Sequence, residues 1–95
     1  MKSFITVLGE DKTGIIYKVT SVLFENNINI LDINQTLIKD YFTMVMLVDL
    51  SKMKTDFVGL KNDLENKAKE IGVVIKLQRE DIFSSMHQIL TKELS

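Results

Sequence analysis

The run Gly9-Glu10-Asp11-Lys12-Thr13-Gly14-Ile15 holds the chain's best opportunity for chemistry. A glycine-bracketed loop that opens a helix exposes backbone N–H groups, and the helix dipole adds positive potential beside them. Such a corner suits an anion, above all a carboxylate. The N–H groups at and after Gly14 are the expected donors, and the tight turn lets a ligand approach the main chain. The competing reading is a plain capped loop, with Asp11 or Thr13 closing the helix. Gly9 and Gly14 have the spacing of a phosphate-cradling loop, but Ile15-Ile16 stand where that loop needs Lys followed by Ser or Thr. A nucleotide-phosphate site is not expected.

The other reactive side chains make poorer sites. The neighbours Glu10-Asp11 and Glu80-Asp81 suit solvated faces and caps better than an acid/base pair. His87 is the single histidine, with no cysteine anywhere to join it. It reads as a surface residue, a metal shared between subunits being the remote alternative. Met44, Met46, Met53 and Met86 read as core and interface filler. No catalytic residue, metal or cofactor is expected, so the pattern points to a binding module.

Bulk properties narrow the partners. At 95 residues the chain is one domain by default, and 45% hydrophobic content allows a real but modest core. A domain this small leaves apolar surface uncovered unless it associates. Net charge is −1, with a single arginine, Arg79, and scattered lysines. Nucleic acid is therefore not expected, since phosphate binding needs a basic stripe. The absence of cysteine excludes disulfides and thiolate metal sites. No signal pattern opens the chain, and no apolar run is long enough for a membrane span. A cytoplasmic location is the expectation.

The elements that must position the loop follow from periodicity. Residues 3–8 read as a buried strand, and residues 14–26 as a helix with Ile15, Val19, Val22 and Leu23 on its apolar stripe. Asn26-Asn27 suits its end. Residues 28–38 alternate as a half-buried strand, with Leu31, Ile33, Gln35 and Leu37 on one face and Ile30, Asp32, Asn34 and Thr36 on the other. After a tight gap at Lys39-Asp40, residues 41–50 form a strand with two rather apolar faces. A second helix is expected over about 55–71, ended by Gly72, with Asp63–Lys67 and Glu65–Lys69 as i,i+4 pairs worth roughly 0.2–0.5 kcal/mol each. Val73 to Gln78 is a fourth strand. Ile82, Phe83, Met86, Ile89 and Leu90 then make an amphipathic pattern, read as a tail helix from Asp81.

Strand-helix-strand occurs twice. This predicts an α+β ferredoxin-like βαββαβ sandwich: a four-stranded antiparallel sheet of order 4-1-3-2 with both helices on one face. Strand three is expected to turn its methionines and Phe42 to the other face, which the tail helix or a second subunit should cover. An edge strand left unpaired also invites another chain.

With the order of elements in place, the chain resembles the ACT domain family, and within it the small stand-alone bacterial members. The carrying residues are Asp11-Lys12-Thr13-Gly14-Ile15 at the first strand-helix junction, Val19, Leu23, and Asn27-Ile28-Asn29-Ile30 entering strand two. Family members often show Asp-Arg-Pro-Gly and Gly-x-Asn-Ile at these places. Here Lys12 replaces the arginine, Thr13 the proline and Asn27 the glycine. The resemblance assigns residues 1–80 to an ACT domain and 81–95 to a helical tail packing on the domain or on its dimer partner.

The resemblance implies a non-catalytic regulatory module that binds an amino acid or a related small carboxylate, often between two paired domains. It implies a homodimer or higher oligomer and output through a separate, unknown protein partner. The implied ligand residues are Glu10, Asp11, Lys12, Thr13, Gly14 and Ile15 with Asn29, Ile30, Leu31 and Asp32. Gln35 is a weaker candidate, more simply read as solvated strand surface. Two rivals are weighed against this. A constitutive oligomeric scaffold with a vestigial site accommodates the departures at Lys12, Thr13 and Asn27. An acylphosphatase-like enzyme on the same fold wants an arginine in the first loop, whereas Arg79 ends strand four. RNA binding by such a sheet needs exposed aromatics and basic surface, and Phe4 and Phe42 alone do not meet that need.

Overall fold

The computed structural model describes residues 1–10 and 13–81. They run β1 (Lys2–Glu10), α1 (Ile15–Glu25), β2 (Asn29–Ile38), β3 (Tyr41–Asp49), α2 (Phe57–Ile71) and β4 (Val74–Arg79). The strands form one antiparallel sheet in the order β2-β3-β1-β4. This is the expected ferredoxin-like order, read from the opposite edge. The proposed tail helix and His87 lie outside the described residues.

Alternation along the two central strands builds the core. Ser3, Ile5 and Val7 of β1 are buried, and the register sets Ile5 opposite Met46 and Val7 opposite Met44. The stripes Ile15, Val19, Val22, Leu23 of α1 and Leu60, Leu64, Ala68, Ile71 of α2 close over them. α2 begins at Phe57 rather than at residue 55 because Asp56 is its cap: the Gly59 N–H donates to Asp56 Oδ1 at 2.7 Å. Gly72 ends it in the left-handed region, its N–H reaching the Ala68 carbonyl.

Three expectations are corrected. Phe42, Met44, Met46 and Val48 face the helices, and Thr43, Val45 and Leu47 take the open face instead. Both faces of β3 are apolar, so alternation alone could not say which is inner; pairing with Ile5 and Val7 decides it. Next, β2 is not half-buried. Only Ile30 is partly shielded, because β2 is an edge strand that the helices overhang at its first residues alone. Its alternation also breaks: Ile30 pairs with Val48 and Asp32 with Leu47, leaving Leu31 as a β-bulge. Ile30 therefore joins Ile33 on the helix side. Lastly, Lys67 forms its ion pair with Glu70 at 2.9 Å, one turn toward the C-terminus, rather than with Asp63. That contact holds the Glu70 carboxyl below the usual carboxylate range.

Ser3 is fully buried on the core face, and its hydroxyl has no hydrogen-bond partner among the described residues. A buried unsatisfied hydroxyl costs about 1–3 kcal/mol. Ser3→Ala is therefore expected to raise the melting temperature by several degrees, since about 1 kcal/mol moves a domain of this size by roughly 4–8 °C. A melting temperature that falls instead, measured by circular dichroism, would show that the hydroxyl is satisfied.

Candidate ligand-binding site

The β1–α1 corner is open where α2's start is closed. Gly14 is the N-cap of α1, at φ 86°, and among the described residues no side-chain bond caps the helix. The expected Thr13 cap is thus absent; Thr13 is exposed and makes no cap bond. The first intrahelical bond beyond the cap runs from Lys18 N–H to the Gly14 carbonyl at 2.9 Å. The N–H groups of Ile15, Ile16 and Tyr17 precede it, so they are the orphan donors of this helix start. No acidic residue stands in the first turn to neutralise the dipole.

Space is available as well as donors. Among the described residues a Cβ built on Gly14 meets nothing within 4 Å, so the glycine is required there by its left-handed backbone and not by crowding. Gly9 is the opposite case. A Cβ there would stand 2.8 Å from Val73 Cγ1 and 3.1 Å from Val73 Cβ, so β1 is wedged against the turn between α2 and β4. Glu10, paired with Tyr41, is exposed at the mouth of the corner. Ile15 sends its side chain into the core and can offer a ligand only its main chain. Asp11 and Lys12 lie outside the described residues.

Asn29, Ile30, Leu31 and Asp32 sit at the other end of the molecule. The register carries Glu10 to Tyr41 to Ile38 at one end of the sheet, and Lys2 to Asp49 to Asn29 at the other. Between the two ends α1 has 11 residues, about 16 Å of helix. The structure thus brings Glu10, Thr13, Gly14 and Ile15 together, and separately Asn29 to Asp32, but in one protomer it does not join the two groups. At the β2 end, Asp32 Oδ1 accepts from the Ile33 N–H at 2.9 Å. Asn29 lines a polar hollow of about 280 Å³ with Asn27, Asp49, Ser51 and Lys52. Asn27 holds its rim, donating from Nδ2 to the Lys52 carbonyl at 2.9 Å from a left-handed backbone of φ 58°. The Ser51 N–H on Asp49 Oδ1 lowers the Asp49 pKa, so that carboxylate stays ionised near neutral pH.

Sequence reasoning missed the outer flank of α1. Tyr17 and Phe24 are 75% and 85% exposed, one on each side of Ser21. They border a groove of about 620 Å³ running down to Ile28 and Ile30 at the start of β2. Leu31, Ile33, Leu37 and Ile38 of β2 are exposed as well. The signal was present as apolar residues outside the α1 core stripe, but a search for the stripe passes over them. Among the described residues no group of three or more His, Cys, Asp or Glu could hold a metal, and no helix is long and apolar enough to cross a membrane.

Comparison with known proteins gives these features a context. A sequence model described as ACT domain matches residues 4–78. A UPF0237 protein of Clostridium acetobutylicum is 53% identical over 89 residues, covering 94% of this chain and all of that protein. The structure of an ACT domain protein from Streptococcus pneumoniae matches with a TM-score of 0.77 and 42% identity, over 87% of this chain and 93% of that one. The regulatory subunit of aspartate kinase from Thermus thermophilus, in a ligand-free form, matches with a TM-score of 0.64 and 25% identity, over 81% of this chain and 50% of that one.

Proposed function

This chain belongs to the ACT domain family, whose members are regulatory ligand-binding modules, and we propose that it senses an amino acid or a related small carboxylate and signals through a partner protein. The observation that carries this reading is the start of α1 at Gly14, which no side-chain bond among the described residues caps and beside which a Cβ would meet open space. A carboxylate there accepts two or three charge-assisted hydrogen bonds.

An amino acid also carries an ammonium group, which needs acceptors. Asn29 and Asp32 supply them, together with carbonyls freed at the Leu31 bulge, yet they lie at the far end of the protomer. A two-fold axis resolves this. If β2 pairs antiparallel with β2 of a second copy, the first residues of one strand meet the last residues of the other. Asn29 to Asp32 of the second copy then stand beside Ile38, next to the Gly14 corner. The β2 edge is suited to such pairing, for it runs ten residues and Asp32 is its only charged side chain. Tyr17 and Phe24 would pack on the second α1. The reading is of a cytoplasmic homodimer, or a higher even oligomer, whose ligand stabilises the paired arrangement that a partner recognises. Coupling of this kind is typically about 1–3 kcal/mol.

A melting-temperature screen over the amino acids and small carboxylates tests the proposal. One compound is expected to raise the transition saturably, by an amount growing with its concentration. If none does, the alternative takes its place: a constitutive oligomeric scaffold with a vestigial site. The exposed Tyr17 and Phe24 favour assembly under either reading.

A further inference from the structure

β2 runs in unbroken register only after its bulge. From Asp32 opposite Leu47 to Ile38 opposite Tyr41 every residue has its partner on β3, and the Lys39-Asp40 turn follows. These seven residues have Gln35 at their middle. Gln35 stands opposite Met44, while Ile33 and Leu37 stand opposite Met46 and Phe42, so the three share the helix side of the sheet. All three are exposed in the single chain. Asp32, Asn34, Thr36 and Ile38 alternate with them on the other side.

A two-fold axis normal to the sheet keeps the helices of both copies on one side. Directly opposite residues then share a face, so one residue of β2 meets its own counterpart at the axis and the others pair outward from it. With the axis at Gln35 the whole regular segment is used: Ile33 meets Leu37, Asn34 meets Thr36 and Asp32 meets Ile38. Apolar meets apolar on the helix side, and the amide–hydroxyl pair lies on the other. An axis at Asn34 or Thr36 shortens the regular ladder to five residues a strand and sets the Gln35 amide against Ile33 or Leu37. An axis at Asp32 opposes two carboxylates.

We propose that Gln35 lies on the two-fold axis of the pair, where its amide bonds the amide of Gln35 in the second copy and fixes the register of the joined edges. Each amide carries a carbonyl and an NH2 group, so two facing amides can bond each other. A single polar side chain in an apolar seam fixes register because every slipped pairing leaves it against an apolar neighbour. Moving the axis by one residue slides the strands by two, about 7 Å. The axis at Gln35 sets Asp32 of the second copy opposite Ile38, at the end of the sheet that carries Glu10 and the Gly14 corner. Gln35 is thus a positioning residue for the shared site. Its role rests on the paired β2 edges proposed above and on no property of the ligand.

The chain has no cysteine, so single introduced thiols read the axis without background. Asn34→Cys and a size-tagged Thr36→Cys are oxidised alone and as a mixture, then run on a non-reducing gel. The mixture is expected to give the mixed dimer in about tenfold excess over either self-linked dimer. The two thiols face each other, while each lies two residues from its own counterpart and beyond disulfide reach. A self-linked dimer as the main product places the axis elsewhere and overturns the proposal, as does no link at all. Adding Gln35→Leu to both chains is expected to raise the self-linked dimers several-fold, because slipped pairings then cost little. An unchanged pattern overturns the role of Gln35. Should the variants fail to fold, nuclear Overhauser contacts between labelled and unlabelled copies of the unmodified chain decide. Contacts joining Ile33 methyls to Leu37 methyls are expected; Ile33 to Ile33 contacts, or none, overturn the proposal. Sedimentation of the unmodified chain separates the failures: a dimer with the wrong links overturns the axis alone, and a monomer overturns the paired edge with it.

Discussion

Gly14→Asp is expected to leave a folded protein that no longer binds its amino acid. At φ 86° most side chains are strained, but aspartate is among the few that visit the left-handed region. Its left-handed cost of roughly 1–2 kcal/mol is partly offset by a carboxylate at a helix N-terminus, worth about 0.3–1 kcal/mol. Net stability should therefore change by about 1 kcal/mol. Binding should change far more. The new carboxylate occupies the space over Gly14 and repels a second one. Loss of two charge-assisted hydrogen bonds at about 1.5–3 kcal/mol each weakens affinity by 100-fold or more. Gly14→Val is a less clean test, because a β-branched residue at this φ disturbs the backbone by itself. Calorimetric titration with the compound that most raises the wild-type melting temperature decides the matter. Unchanged affinity in a folded Asp variant would remove the corner from the site.

The second large effect is expected at the β2 edge. Phe24→Glu together with Ile33→Glu places like charges on both sides of the proposed two-fold axis, at side chains 85% and 44% exposed in the single chain. Truncating a central aromatic anchor typically costs about 2–4 kcal/mol, and repulsion adds to it. Sedimentation should show the dimer constant weakened more than 100-fold, with the far-ultraviolet dichroism unchanged. Ligand affinity should fall in parallel, since half the site would then be missing. A wild-type chain that sediments as a monomer at micromolar concentration would refute the assembly. A monomeric variant that binds at full strength would refute the shared site while leaving the Gly14 corner standing.

The fold was legible because two βαβ halves with clear stripes admit few topologies, and right-handed crossovers choose among them. The corner was legible for a similar reason: Gly14 falls between a strand pattern and a helix pattern, where a left-handed residue is useful. The inner face of β3 was not legible. Met44 and Val45 are both apolar, and only pairing with β1 distinguishes them. The Thr13 cap was misjudged because threonine is a good capping type, while the backbone had already placed Gly14 at the cap. Nor could linear order reveal that Gly14 and Asn29, joined by one helix, stand at its opposite ends. A helix that returns along the sheet separates what sequence proximity joins, and only a second copy brings the two back together in the arrangement proposed.

The extra residue at Leu31 works as a phase shifter. Ile30 and Ile33 are an odd number of residues apart, yet both look toward the helices, because the bulge inserts half a pleat between them. The opening of β2 is thereby decoupled from the rest of the strand. Deleting Leu31 would leave Ile30 and Ile33 two residues apart, so plain alternation would keep both on the helix side, with the pairing of residues 33–38 unchanged.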